Sequence, residues 1–321
     1  MEYPTFDDLQ AHIQALYREG DYAEALELAS DQLRNYPEQF ALLYYWQICM
    51  AARTGQMDLV LNRLDELLAR KFWYGETLLR KSPSLLPLQG QSEFELRVKY
   101  NRQLRDQEQS GLFPLLTLRS NGRCFQGMEP CPLLIALHSN ASTAQASVDF
   151  WQSAASVGWL VAIPQSTQAM WKGAYVWDDR SVSEQEILRH YDSLLSKYAI
   201  DQTQVIIAGH SMGGETAIWM AIKGILPVRG FIAIGPGGPL MDDVQNWTAV
   251  LSENRNRELR GYLIVGQEDR TIQQENVHIL ADILTSDGIP TELEEIPDVD
   301  HDFSEEYAES LLRGINFITA E

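Results

Sequence analysis

The sequence predicts two folds in series: a small all-α region of helical repeats, then an α/β region with a mostly parallel central sheet and helices on both faces. Three observations carry this. The first hundred residues show helical apolar spacing and no strand-like alternation. After residue 112, short and nearly continuous apolar runs alternate with helical patterns, as strands covered on both faces require. A chain of 321 residues that is 45% hydrophobic and 22% charged is globular rather than disordered, and long enough for two domains.

In the first region, LYREGDYAEALELASDQL (16–33) has a counterpart in MAARTGQMDLVLNRLDEL (50–67). Gly20 matches Gly55, Ala25 matches Val60 and Leu26 matches Leu61, at an offset of 35 residues. Each glycine would end the first helix of a pair and allow a tight turn, while the small or branched residue five further on sits where the two helices press together. A last helix is expected through 94–109, and its polar tail with Ser110 and Gly111 marks a boundary between domains 1–108 and 109–321.

The second region offers strands at LLTL (115–118), PLLIALH (132–138), WLVAIP (159–164), QVIIAGH (204–210), FIAIG (231–235), YLIVG (262–266) and TELEEIP (291–297). Between them lie helical stretches such as 183–198, with Ile187, Leu188, Tyr191, Leu194, Leu195 and Tyr198 on one stripe. The strand QVIIAGH runs into GHSMGG, which contains Gly209-x-Ser211-x-Gly213 before the helix-like ETAIWMAIKG. Strand, glycine-flanked serine and helix form a nucleophile elbow, in which side chains at 209 and 213 would collide with neighbouring backbone.

A serine hydroxyl needs a base, and the base needs a carboxylate to hold its tautomer. In a strand-helix framework of this kind both should follow the serine, acid first. Asp269 stands just past the strand YLIVG, and His301 lies in the later loop DVDHDF. His278, the other histidine after Ser211, falls inside a helical run and reads as a surface residue. Glu268 is the rival for the acid, and Asp298, Asp300 and Asp302 read as a solvated acidic loop. The oxyanion of an acyl-transfer intermediate requires two N–H donors, expected from Met212 and, in the loop after PLLIALH, from Asn140. His138 reads as a structural residue beneath the site.

The span from about 112 onward resembles the α/β-hydrolase superfamily, and within it the phospholipase/carboxylesterase and dienelactone-hydrolase-like branch. The resemblance rests on PQS (164–166), VWDD (176–179), GHSMGG and the late Asp269 and His301, with Ser139 standing where that branch has glycine. The first region resembles tetratricopeptide-like repeats, with an irregular helical bundle as the alternative. The resemblance implies a serine hydrolase of (thio)esters of modest size. Only about 25 residues separate FIAIG from YLIVG, too few for a large helical cap. Trp171, Tyr175 and Trp177, in loop 165–180, are therefore expected either to line a substrate pocket or to pack against the helical domain.

The net charge of −20 splits into −5 for residues 1–110 and −15 for the remainder. Such a surface repels phosphate backbones and anionic lipid, so the expected partners are an ester substrate and a protein or second copy at the helical domain, not nucleic acid or membrane. No metal or organic cofactor is implied. The start MEYPTFDDLQ lacks the pattern of a secretory signal, so a cytoplasmic protein is expected. Cys49, Cys124 and Cys131 are too few for a disulfide framework, although Cys124 and Cys131 are close enough to meet across a hairpin. Two other functions remain open from the sequence: a serine peptidase or amidase with the same triad, and an interaction protein whose hydrolase domain is idle.

Overall fold

A computed structural model describes residues 3–112, 114–119, 124–125, 127–254 and 258–320. Helix α1 (Phe6–Glu19) starts where the Thr5 hydroxyl accepts the Asp8 N–H, and it stops at Gly20, whose φ of 89° suits a residue without a Cβ. Helix α2 (Tyr22–Asp31) returns directly. The same turn recurs at Gly55, with φ of 73°, between α3 (Phe40–Arg53) and α4 (Met57–Ala69). Ala25 and Val60, the matched positions of the two pairs, are both fully buried.

Two further helices, α5 (Glu76–Lys81) and α6 (Ser92–Gln109), complete this part. Buried Asn101 on α6 accepts the Tyr74 N–H and donates to the Tyr74 carbonyl, each at 2.8 Å, so the chain entering α5 is bound as if by a strand partner. By compactness the chain divides into two units, and the helical one takes residues up to Leu112 together with Ala169–Lys172. The short strand β4 (Ala169–Trp171) therefore belongs to the helical unit, where Gly75 donates to Met170 and Lys172 donates to Trp73.

In the second unit the apolar runs form a seven-stranded sheet. Its strands are β1 (Leu115–Leu118), β2 (Cys131–Leu137), β3 (Leu160–Pro164), β6 (Ile200–His210), β7 (Gly230–Ile234), β8 (Arg260–Gly266) and β9 (Thr291–Ile296). A two-residue strand, β5 (Ala174–Tyr175), lies outside this sheet. The order is β1-β3-β2-β6-β7-β8-β9, with β1 antiparallel to β3 and the other pairs parallel.

The pleat sorts each strand's side chains onto two apolar faces. Leu133, Ile135, Val205, Ile207, Phe231 and Leu263 pack with α8 (Arg180–Lys197), α9 (Met212–Lys223) and α12 (Gln274–Ser286). Leu134, Ala136, Ile206, Ala208, Ile232 and Ile264 pack with α7 (Gln152–Ser156) and α13 (Tyr307–Thr319). Two short helices, α10 (Pro239–Asp242) and α11 (Asn246–Ser252), occupy the connection after β7. This is the fold class expected, a mostly parallel sheet between helices preceded by an all-α region.

One pairing that the sequence left open is formed, and one expectation needs correction. Cys124 and Cys131 form a disulfide, because the start of β2 brings their Cα atoms to 5.4 Å. Leu188, placed on the buried stripe of α8, is exposed, since that stripe is narrower than the apolar pattern suggested. Among the described residues no helix is long and apolar enough to cross a membrane.

Candidate active site

Parallel strands send their carboxyl ends to one edge of the sheet, and the loops after β6, β7, β8 and β9 meet there. At the end of β6, Ser211 takes φ 54° and ψ −121°, a sparsely populated conformation for a residue with a Cβ, at a cost of about 1–3 kcal/mol. Backbone bonds hold it there. Its N–H donates to the Ile234 carbonyl at 2.9 Å, and its carbonyl accepts from Glu215 and Gly237.

The flanking glycines are required by space. A Cβ on Gly209 would lie 2.3 Å from the carbonyl carbon and oxygen of Gly213, and one on Gly213 would lie 2.5 Å from the His138 carbonyl oxygen. Helix α9 begins at Met212, so the positive end of its dipole sits at the serine.

Asp269 follows β8. It is almost completely buried, and its Oδ1 accepts the N–H groups of Thr271 at 2.9 Å and Ile272 at 3.2 Å. Its Oδ2 meets His301 Nδ1 at 2.7 Å. Burial pushes the Asp269 carboxyl up, but the His301 hydrogen bond and charge, with the two N–H donors, outweigh it and hold the group below the ordinary carboxylate range.

The other ring nitrogen of His301, Nε2, is buried without a hydrogen-bond partner among the described residues. Gly235 lies between these groups: a Cβ there would stand 3.1 Å from the His301 ring and 3.3 Å from Asp269 Oδ2. Two residues on, a Cβ at Gly237 would stand 3.7 Å from Ser211 Oγ. The turn after β7 thus runs from the histidine to the serine.

Asp300, expected as part of a solvated acidic loop, has a structural task. Its carboxylate accepts both the His301 N–H at 2.8 Å and the Arg270 N–H at 3.1 Å, tying the loop that carries Asp269 to the loop that carries His301. Glu268 is exposed and stands 3.8 Å from Arg270, whereas Asp269 is the carboxylate that meets the histidine. His278 is also exposed, beside Glu295 at 3.2 Å.

Ser211, Met212 and Asn140 line one cleft of about 250 Å³, whose far wall is Gly237, Gly238, Met241 and Ile272. The three aromatics of loop 165–180 do not line it. Tyr175 and Trp177 are fully buried, and the Trp177 indole N–H donates to the His138 carbonyl at 2.9 Å, so this ring props the strand end from beneath. Trp171, partly buried, packs against the core of the helical unit. His138 is likewise buried, its Nε2 accepting the Ser166 N–H and its ring beside Trp177, and burial lowers its pKa to about 4.

Two residues near the site escaped sequence reasoning. His210 packs its ring against His301 and Phe303, with centroids 4.9 and 4.7 Å away. Burial, then the neighbouring His301, pushes its pKa down to about 3, so it is neutral packing at physiological pH. Glu215, fully buried on α9, pairs with Arg180 and accepts the N–H groups of Leu240 and Met241 at 2.9 and 2.8 Å. The signal for Glu215 was available: it is the one charge in the apolar run from Met212 to Ile222.

A strained serine at a strand-to-helix elbow, on a mostly parallel sheet with a buried Asp-His pair at the same edge, defines a hydrolase of the α/β-hydrolase fold. Comparison with known families narrows this further. Residues 149–316, more than half of the chain, match the Dienelactone hydrolase family, and the chain belongs to it. Residues 5–109 match the A/B hydrolase-like, N-terminal domain.

Among solved structures, an uncharacterized protein from Bacillus cereus is 22% identical with a TM-score of 0.53, covering 98% of this chain and 99% of its own. Esterase PE8 is 14% identical with a TM-score of 0.51, covering 64% of this chain and 97% of its own. These likenesses are of fold. No curated protein matches the chain significantly.

Proposed function

We propose that the chain hydrolyses carboxylic esters or thioesters through an acyl-enzyme, with Ser211 as nucleophile, His301 as base and Asp269 as the acid that orients it. The observation that carries this reading is the 2.7 Å contact of Asp269 Oδ2 with His301 Nδ1, at the sheet edge where Ser211 stands at the elbow. With Nδ1 protonated and bonded to Asp269, Nε2 is the basic nitrogen, and it has no competing partner among the described residues. Family membership supports ester chemistry, since a lactone is an internal ester.

In the proposed reaction Ser211 Oγ bonds to the acyl carbon as its proton passes to His301 Nε2. The carbonyl π electrons move onto oxygen, which the N–H groups of Met212 and Asn140 receive. Collapse of this intermediate breaks the bond to the leaving group, which takes the proton from His301. Water then repeats the sequence on the acyl-serine, releasing the acid and restoring the hydroxyl.

The test is fluorophosphonate labelling with mapping of the labelled residue, alongside turnover of nitrophenyl esters and aminoacyl-nitroanilides. Ser211→Ala should abolish labelling and lower ester turnover by roughly 10⁴-fold or more. Labelling at another serine would overturn the assignment, and preferential cleavage of the anilides would move the substrate class to amides.

A further inference from the structure

The helical unit carries a concave site of its own. A cleft of about 460 Å³ opens between α1 and α3, within the size range of small-ligand sites. One wall is apolar and aromatic, made by Ile13, Tyr45, Trp46 and Met50.

The polar groups gather around Tyr17 and Ser84, both of which line the cleft. The Tyr17 hydroxyl meets Ser84 Oγ at 2.9 Å, and Arg53 donates to both, through Nε to Ser84 at 3.1 Å and through Nη2 to Tyr17 at 3.2 Å. The Arg53 guanidinium also lies over the rings of Tyr17 and Tyr22, at 5.8 and 5.6 Å, which fixes it against the two cleft-lining hydroxyls it bonds. Arg18 lines the cleft from α1.

Charge decides what this site selects. Arg63, Arg80, Arg97, Arg102 and Arg105 of the same unit each hold a carboxylate. Arg18, Arg34, Arg53 and Arg70 hold none among the described residues, and of these four Arg18 lines the cleft and Arg53 is bonded to its Tyr17 and Ser84 hydroxyls, although acidic side chains outnumber basic ones in this region. Two guanidiniums without a carboxylate, next to convergent hydroxyls and an aromatic wall, form a receptor for a planar anion attached to an apolar body.

We propose that this cleft binds a small organic carboxylate with an aromatic or branched apolar body, its carboxylate taken by Arg18 and Arg53 and its body laid on Trp46 and Tyr45. The site lies wholly in the helical unit and is independent of the ester-hydrolase reading.

The test is calorimetric titration of the full chain with 3-phenylpropionate, 3-phenylpropionamide and phenethyl phosphate. The expected result is saturable 1:1 binding of the carboxylate, with the neutral amide weaker by about tenfold or more. The double variant Arg18→Gln/Arg53→Gln should lose about tenfold or more in affinity, while Ser211→Ala should bind as the parent does, which separates this cleft from the one at Ser211. Gln14→Trp, which places an indole at the mouth from an exposed position, should block binding without touching the unit's core or the arginines' hydrogen bonds. Absence of saturable binding, equal binding of the amide, tighter binding of the phosphate than of the carboxylate, or unchanged binding in both the double variant and Gln14→Trp would each overturn the proposal.

Discussion

Replacing Asp269 by asparagine tests the proposed chemistry at its most constrained point. Oδ1 of Asp269 faces two N–H donors, from Thr271 and Ile272, and Oδ2 faces His301 Nδ1. An asparagine must keep its oxygen toward the two N–H groups. Turning the amide over would set its NH₂ against both donors and lose both hydrogen bonds, at about 1 kcal/mol each. The amide nitrogen therefore takes the place of Oδ2 and donates to Nδ1, which forces the imidazole proton onto Nε2. A base with its proton already on the reacting nitrogen accepts nothing from Ser211. The expected loss in kcat is about 10⁴-fold, or roughly 5.5 kcal/mol in the barrier. Glu268→Gln is the control, since that side chain is exposed and its nearest cation stands 3.8 Å away, and it should change turnover by less than about tenfold. The assay is nitrophenyl-ester turnover, with the tautomer of His301 read by nitrogen NMR. Asp269→Asn within tenfold of the parent, or Glu268→Gln as the more damaging change, would refute the reasoning.

Gly209→Ala should remove activity together with the elbow, because its Cβ would press on backbone atoms of Gly213 at 2.3 Å and no side chain there can yield; loss of about 1–3 kcal/mol or more in urea unfolding should accompany it. The acid limb of stability should be steep below pH 6.5. His138 and His210 stay neutral in the folded protein down to about pH 4 and 3, whereas the unfolded chain takes up protons on them from about pH 6.5, so stability is complete above that pH and falls as pH drops. His210→Phe should flatten the slope of unfolding free energy between pH 6 and 5 by about 1.4 kcal/mol per pH unit, and an unchanged slope would show that His210 is not held neutral.

What was legible in the sequence follows from how local each constraint is. The strands were visible because both faces of β2, β6, β7 and β8 are buried, which leaves nearly unbroken apolar runs. Gly209 and Gly213 announced the elbow because the collisions they avoid lie within a few residues of Ser211 or against the neighbouring strand end. The ordering of Asp269 and His301 after Ser211 put all three on loops of one sheet edge. The disulfide was less visible, since the approach of Cys124 to Cys131 depends on where β2 begins rather than on a cysteine pattern. The aromatics of loop 165–180 misled for a related reason. Composition marks Tyr175 and Trp177 as large and adaptable, but only tertiary packing reveals that the Trp177 N–H is taken by the His138 carbonyl and that both rings face inward.

The Glu215–Arg180 pair shows why some of the site could not be read from the chain alone. The partners are 35 residues apart and come from different helices, so no spacing rule links them. Their effect reaches the cleft through backbone. Glu215 Oε2 takes the N–H groups of Leu240 and Met241, and a Cβ on Gly238, where φ is 148°, would stand 2.7 Å from the carboxyl carbon. Arg180 spans the pair by donating also to Thr216 Oγ1 at 2.8 Å. A buried carboxylate is costly, and removing one partner of such a pair strands the other at about 3–5 kcal/mol, so the arrangement is poor as a device for stability alone. What it achieves is geometric. The wall from Gly237 to Asp242 is fastened to the helix that begins directly after Ser211, which sets the cleft wall in register with the proposed nucleophile and with the positions where the proposed reaction would place an acyl group.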